Sequence, residues 1–256
     1  MAKRVLIVDD AGFMRSLLKD ILTDEGYEVV GEATDGQMGV DLYAELRPDL
    51  VTMDVNMPKL DGRDALEAIL KVDGQARVIM VTTAGQDEII KRTLLAGARD
   101  FIIKPFKKHQ VVQTINRIIK DNGTNQSFME ELVAWYELGE ILLRNDIITQ
   151  DLLTARREQV KKGEHRNLFE AFQATGEVME DDLRDAFEAG HKEVSMAFLL
   201  MKTKVVTMNQ LRCAFVMMRK TNKKLGFTLM ELGFCDKDAV AEAMKLVPPS
   251  RFTQAL

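Results

Sequence analysis

Five short apolar runs alternate with amphipathic stretches over residues 3–121. The stretches carry apolar residues at helical spacing, and the runs have the length of buried strands. Strands that alternate with helices predict a parallel sheet covered by helices on both faces. We therefore predict an α/β domain with a doubly wound, five-stranded parallel sheet. The runs are residues 4–8, 28–31, 50–53, 78–82 and 101–103, and the helical stretches are residues 14–25, 37–46, 63–72, 88–96 and 110–121.

A polar segment with an Asn122-Gly123 turn signal follows this pattern. The chain has 256 residues, which is enough for two domains of ordinary size. We therefore expect an α/β domain at 1–121, a linker at 122–128 and a second domain at 129–256.

The second domain shows an all-helical pattern that recurs four times. Units aligned on Leu138, Leu168, Met196 and Leu225 start 30, 28 and 29 residues apart. Each unit keeps apolar residues four and fifteen positions further on, and three of the four carry Thr or Asp eleven positions on. Since Thr and Asp are favoured N-caps, each unit of about 29 residues is predicted to be a short helix, a turn and a longer helix.

Composition excludes several classes of protein. The net charge is 35 − 40 = −5, and neither half has the basic excess expected of a nucleic-acid-binding protein. Two cysteines in apolar settings and three histidines argue against a disulfide framework or a zinc site. The N-terminal apolar run 5–8 is too short for a signal peptide, and no run is long enough to span a membrane. We expect a cytoplasmic protein with no membrane insertion.

Charge is unevenly distributed within the helical domain. Residues 130–193 hold 8 basic and 16 acidic groups, whereas residues 194–256 hold 10 basic and 4 acidic groups. This asymmetry could steer the two halves together, attract a second copy, bind an anion or simply form a solvated face. The candidate anion-binding residues are Arg219, Lys220, Lys223 and Lys224.

Three acidic residues mark strand ends in the first domain. Asp9 and Asp10 follow the first run, and Asp54 ends the third. Because the carboxyl ends of parallel strands meet at one edge, these carboxylates are expected to cluster there, where Mg²⁺ would relieve their repulsion. Thr82 and Lys104 end the fourth and fifth runs and add a hydroxyl and a positive charge. This set is typical of phosphoryl transfer with a carboxylate nucleophile. The sequence has no glycine-rich phosphate loop, so ATP is not the expected phosphoryl donor.

These residues lie in motifs that resemble the receiver domain of two-component response regulators, close to the single-domain chemotaxis receivers. The resemblance covers residues 3–121 and implies a flavodoxin-like fold. The motifs are Val8-Asp9-Asp10, Met53-Asp54-Val55-Asn56-Met57-Pro58, Asp61-Gly62, Val81-Thr82 and Lys104-Pro105-Phe106.

The resemblance implies that Asp54 accepts phosphate from the phosphohistidine of a sensor histidine kinase. Asp10, Asp54 and the carbonyl of Asn56 would ligate Mg²⁺, and Asp9 would hold a metal-bound water. Lys104 would pair with the phosphoryl group. The domain would catalyse only its own phosphorylation and dephosphorylation, so the protein is not expected to be an enzyme in the usual sense.

The resemblance also implies a switch. Thr82 would move to hydrogen-bond the phosphoryl group, Phe101 would swing inward, and the Lys104–Pro105 peptide bond would be cis. The surface formed by residues 86–96, 101–103 and 107–120 would then change. Phosphorylation could drive homodimerisation or release the second domain, and both remain open.

The helical repeat resembles the N-terminal domains of type II secretion and type IV pilus assembly ATPases, some of which bind cyclic di-GMP. Residues 136–143 and 223–230 match the repeat start best. Glu137, Asp146 and Val160 replace the Arg, Gly and Gln of that pattern, and no ATPase core is present in the sequence.

Three outputs are therefore considered for the second domain. We favour a protein-interaction module that the receiver switches, with an unidentified partner. The first alternative is a sensor of cyclic di-GMP or another anion, using Arg212 with the basic residues named above. The second is a DNA-binding regulator, since residues 138–157 have a helix–turn–helix pattern, although its cations Arg156 and Arg157 come late in the second helix.

Overall fold

The protein is described by a computed structural model that covers residues 2–83, 85–120, 125–221 and 223–248. The chain divides into two compact units, Met1–Thr124 and Asn125–Leu256.

The first unit contains a five-stranded parallel sheet in the order β2-β1-β3-β4-β5. The inner strands β1, β3 and β4 are almost entirely buried, as the predicted apolar runs require. The predicted doubly wound fold is confirmed. The strands are β1 Arg4–Val8, β2 Glu28–Ala33, β3 Leu50–Asp54, β4 Val78–Thr83 and β5 Asp100–Lys104.

Helices follow every strand and cover both faces of the sheet. One face packs β1, β3, β4 and β5 against α1 and α5 through a continuous apolar cluster that includes Ile7, Leu18 and Ile115. Asp35 and Asp61 cap α2 and α3 by accepting backbone N–H bonds in the first helical turn. The helices are α1 Gly12–Asp24, α2 Gly36–Leu46, α3 Gly62–Val72, α4 Asp87–Ala96 and α5 Lys108–Lys120.

The register of the sheet aligns the ends of its strands. Asp54 at the end of β3 lies opposite Val81, and Thr83 at the end of β4 lies opposite Lys104. Asp9 extends the β1 pairing by one residue, because its N–H donates to the carbonyl of Ala33 at 3.1 Å. Asp9, Asp54 and Lys104 therefore lie at the same edge of the sheet.

The described part of the second unit is helical. Two apolar clusters form its core, one around Leu142, Leu153 and Phe172 and the other around Leu200, Phe215 and Leu229. The helices are α6 Asn125–Trp135, α7 Leu138–Arg144, α8 Gln150–Lys161, α9 Leu168–Thr175, α10 Glu180–Lys202, α11 Met208–Thr221, α12 Leu225–Glu231 and α13 Lys237–Leu246.

The repeat positions lie at equivalent places in this core. The apolar residues four positions after each unit start are all fully buried: Leu142, Phe172, Leu200 and Leu229. The Thr and Asp residues eleven positions after the unit starts accept hydrogen bonds from backbone N–H groups at helix starts: Thr149 from Leu152, Thr207 from Gln210 and Asp236 from Ala239.

The structure adds detail at two predicted boundaries. The linker predicted at 122–128 overlaps α6, which begins at Asn125, and Phe128 is buried against the ring of Phe215; residues 121–124 lie outside the described residues. The third unit also lacks a separate short helix. Its start, at Met196, lies inside α10, which continues without a turn from the second unit into the third.

Candidate functional site

Two buried carboxylates form the centre of the strand-end site. Asp9 is 1% exposed and Asp54 is 6% exposed. Asp9 Oδ1 accepts the N–H of Ala11 at 2.9 Å, and Asp54 Oδ2 accepts the N–H of Asn56 at 3.0 Å. Each carboxylate is thus oriented by the backbone of the loop that follows its own strand, with its second oxygen left for another partner.

Lys104 bridges the two carboxylates. Its ammonium donates to Asp9 Oδ2 at 2.8 Å and also to Asp54 Oδ1. Burial raises the pKa of Asp54, and the bond from Lys104 only partly offsets this effect. For Lys104, burial lowers the pKa, but the hydrogen bonds to Asp54 and Asp9 outweigh it, so the pKa lies above the usual lysine value. One ammonium thus lies between two carboxylates.

The loop after Asp54 is fixed tightly to the domain. The N–H of Gly62 donates to the carbonyl of Val55 at 2.9 Å, and the N–H of Gly36 donates to the carbonyl of Leu60 at 3.1 Å. Lys59 adds an ion pair with the buried Asp35 at 2.6 Å, and this pairing lowers the pKa of Asp35. These contacts hold the backbone on which Asp54 and Asn56 are presented.

Thr82 and Phe101 are both buried, Thr82 near the carboxyl end of β4 and Phe101 near the start of β5. The hydroxyl of Thr82 donates to the side-chain amide oxygen of Gln86, at the start of α4, whereas Thr83 is exposed. Gln86 was not singled out from the sequence, although it follows Thr82 by four residues at a predicted helix start. The Lys104–Pro105 bond is cis, as expected.

The residues predicted to bind Mg²⁺ are only partly assembled. Asp10 and Asn56 are exposed, and no group of three or more acidic, histidine or cysteine side chains is close enough to hold a metal ion within the described ranges. The donors nevertheless fit a hard cation, because Asp9 and Asp54 place carboxylate oxygens beside each other with less positive charge than negative. Asp10 lies next to Asp9 in sequence at the open side of this pair.

The basic residues singled out in the second unit do not form one cluster of open cations. The guanidinium of Arg219 lies over the ring of Phe215 at 4.7 Å, and that of Arg212 lies over Phe128 at 4.7 Å. Lys223 pairs with both carboxylate oxygens of Glu231 at 2.7 and 2.8 Å.

The helix–turn–helix cations are engaged as well. Arg156 forms several hydrogen bonds with the carboxylate of Glu177, at distances down to 2.6 Å. Arg157 donates to Glu137 at 3.0 Å and to Glu140 at 2.9 Å. The acidic residues of this half therefore neutralise the cations that a DNA backbone would need.

A doubly wound parallel sheet with a lysine between two buried aspartates at its carboxyl edge defines a phosphoryl-accepting regulatory domain. The family model of the response regulator receiver domain matches residues 5–116. The chain is 52% identical over 120 residues to the chemotaxis protein CheY of Thermotoga maritima, a match that covers 47% of this chain and 100% of the relative. It is 50% identical over 119 residues to CheY of Bacillus subtilis, covering 46% of this chain and 99% of the relative.

A solved structure is similar over the same region. The response regulator domain of Thermotoga maritima CheB has 38% sequence identity and a TM-score of 0.44, with 48% of this chain and 98% of that chain covered. Through its first unit, the chain belongs to the response regulator receiver family and to two-component signalling. Receiver domains are phosphoryl-accepting regulators and not metabolic enzymes. The two CheY relatives each cover less than half of the chain and describe its first unit.

In the described residues, no helix is both long enough and apolar enough to cross a membrane.

Proposed function

We propose that Asp54 is the phosphoacceptor of this response regulator and takes its phosphoryl group from the phosphohistidine of a sensor histidine kinase. The observation that carries this proposal is the Lys104 ammonium between the buried carboxylates of Asp9 and Asp54. A carboxylate in this position is oriented, shielded from bulk water and next to a cation that can pair with a phosphoryl oxygen.

The chemistry needs few groups. An oxygen of Asp54 forms a bond to phosphorus while the bond from phosphorus to the histidine nitrogen breaks. Lys104 then exchanges its bond to Asp54 for one to a phosphoryl oxygen and keeps Asp9 as its second partner. Receiver domains typically bind Mg²⁺, and Asp9, Asp10, Asp54 and the Asn56 carbonyl would hold it here. Bound Mg²⁺ would neutralise charge on the phosphoryl oxygens.

The switch begins at Thr82. A phosphoryl group on Asp54 adds strong acceptor oxygens beside this hydroxyl. Thr82 then leaves the side chain of Gln86, which frees the start of α4, and Phe101 is the buried aromatic residue whose position changes with it. The surface that responds is formed by residues 86–96, 101–103 and 107–120.

The second unit is, in this proposal, a protein-interaction module whose repeat resembles the helical domains of secretion and pilus ATPases. An open apolar groove between α6, α9 and α10 supports an interaction role. The engaged state of Arg219, Lys223, Arg156 and Arg157 disfavours the two alternatives, a cyclic di-GMP sensor and a DNA-binding regulator.

Phosphorylation from a small donor tests the phosphoacceptor. With acetyl phosphate and Mg²⁺, Asp54→Asn is expected to abolish the gain of one phosphoryl mass on the intact protein, because an amide is not a nucleophile for phosphorus. Asp20→Asn, which removes the same charge from the exposed face of α1, is the matched control and is expected to label like the parent. Full labelling of Asp54→Asn would refute the assignment.

A further inference from the structure

An open apolar groove crosses the second unit between α6, α9 and α10. It encloses about 1200 Å³. Val133 and Phe198 remain 47% and 46% exposed. The apolar residues that line it include Met129, Val133, Leu168, Phe169, Val194 and Phe198.

Exposure of this apolar groove to water is energetically unfavourable. Exposed apolar area raises the free energy of the folded chain, and contiguous apolar patches in soluble proteins usually mark a binding site. The groove is therefore expected to have an occupant, and the structure indicates where that occupant enters.

The chain itself arrives at the edge of this groove after α13. His191, which lines the groove, contacts the carbonyl of Pro248 through Nε2 at 2.9 Å. Val247, one residue earlier, packs against the apolar cluster around Phe215. The last described residue of the chain is thus anchored at the groove wall.

Eight residues of the sequence follow Pro248 and lie outside the described residues. They read Pro-Ser-Arg-Phe-Thr-Gln-Ala-Leu. Phe252, Ala255 and Leu256 are spaced three and four residues apart, the spacing of an apolar helical face. Arg251 adds a positive charge, which matches the excess of acidic over basic groups in residues 130–193. Eight residues can reach at most about 26 Å, far enough to extend along a groove between helices.

We propose that residues 249–256 bind in the α6–α9–α10 groove of their own chain, with Phe252 and Leu256 as the apolar anchors. Attachment at the groove wall gives this segment an effective concentration in the millimolar range, so even weak contacts keep the groove filled. An outside partner of the groove must then displace the segment. This inference does not depend on the phosphoacceptor assignment.

Photo-crosslinking tests the proposal on the full chain. The photoreactive residue p-benzoylphenylalanine replaces Phe252, and a mixture of light and ¹⁵N-labelled chains is irradiated and mapped by mass spectrometry. We expect crosslinks to α6 or α10 in which both peptides carry the same isotope label. Crosslinks between differently labelled chains would replace this proposal with occupation by a second copy, and crosslinks outside the groove would overturn it.

A dye that fluoresces on apolar surfaces provides the second readout. The double variant Phe252→Asp with Leu256→Asp is expected to increase the fluorescence of anilinonaphthalene sulfonate about threefold or more, because loss of two apolar anchors uncovers the groove. The control, Thr253→Asp with Gln254→Asp, adds the same charge next to the anchors and is expected to change it little. Equal fluorescence of the two double variants would count against the proposal, and far-UV circular dichroism verifies that both are folded.

Discussion

Gly62 is the first residue of α3 and lies close to the end of β3. A Cβ atom at this position would lie 1.9 Å from the carbonyl oxygen of Asp54, a backbone atom that cannot rotate away. The first residue of α3 must therefore be glycine for the loop after β3 to close onto the domain.

Gly62→Ala is expected to destabilise the receiver by about 3 kcal/mol, the upper end of the range for overpacking in a core. Hydrogen exchange of the β3 amides is the measurement, because it reports the free energy of opening of that strand. The control is Gly12→Ala at the first residue of α1, where a Cβ would lie 3.6 Å from the flexible guanidinium of Arg15. Equal protection of β3 in the two variants would contradict this account.

Several site residues could be predicted individually, but their contacts could not. Asp9, Asp54 and Lys104 end apolar runs, so the topology of a parallel sheet brings them together. That Lys104 shares its ammonium between the two aspartates depends on side-chain lengths and burial, which no spacing encodes. The bond from Thr82 to Gln86 was missed for the same reason.

At the scale of elements, periodicity predicted where strands and helices lie. It did not predict that the second and third repeat units are joined by one continuous helix. The predicted strands match the observed ones to within two residues because apolar runs coincide with buried positions. Gly190 lies within α10 ahead of the third unit, where a Cβ would come 2.4 Å from the carbonyl oxygen of Tyr136. The glycine serves close helix packing, and α10 remains continuous.

Glu193 lies within the continuous helix α10 and is partly buried in the second unit. Its Oε2 atom is buried without a hydrogen-bond partner in the structure. Burial raises the pKa of Glu193, while the backbone N–H groups of Gly226 and Leu225 and the charge of Lys224 partly offset the rise. The folded unit therefore holds this proton more tightly than the unfolded chain does.

The difference between the folded and unfolded pKa of Glu193 makes the stability of the second unit depend on pH. As the pH rises above the ordinary glutamate value of about 4.3, the unfolded chain releases the proton first, so stability falls until the folded-state pKa is passed. Glu193→Gln is expected to remove this fall and to raise the urea midpoint near neutral pH. The fluorescence of Trp135, which packs against Phe215 at 5.9 Å, reports the transition. Asp185→Asn, an exposed change on the same helix, is expected to keep the parental pH profile; a parental profile for Glu193→Gln would contradict the account.

At the scale of the whole molecule, the proposed phosphorylation site and the intrinsic fluorescent residue of the chain belong to different units. Asp54, the proposed phosphoacceptor, belongs to the first unit, whereas the sole tryptophan of the sequence, Trp135, packs against an apolar cluster of the second. Far-UV circular dichroism follows the unfolding of both units, and tryptophan fluorescence follows the second. A signal passed from Asp54 to the helical unit can therefore be measured without knowing the partner.

Beryllofluoride with Mg²⁺, a mimic of the phosphoryl group, is expected to raise the melting temperature of the receiver by about 5 °C or more, since a ligand at a hundred times its Kd stabilises by about 2.7 kcal/mol. A coupling free energy of about 1–3 kcal/mol between the units would shift the Trp135 transition by about 2 °C or more, in either direction. Asp54→Asn is expected to remove both shifts, because the mimic then has no carboxylate to bind. A receiver shift without any change in the Trp135 transition would preserve Asp54 as the phosphoacceptor and refute the proposal that phosphorylation switches the helical unit.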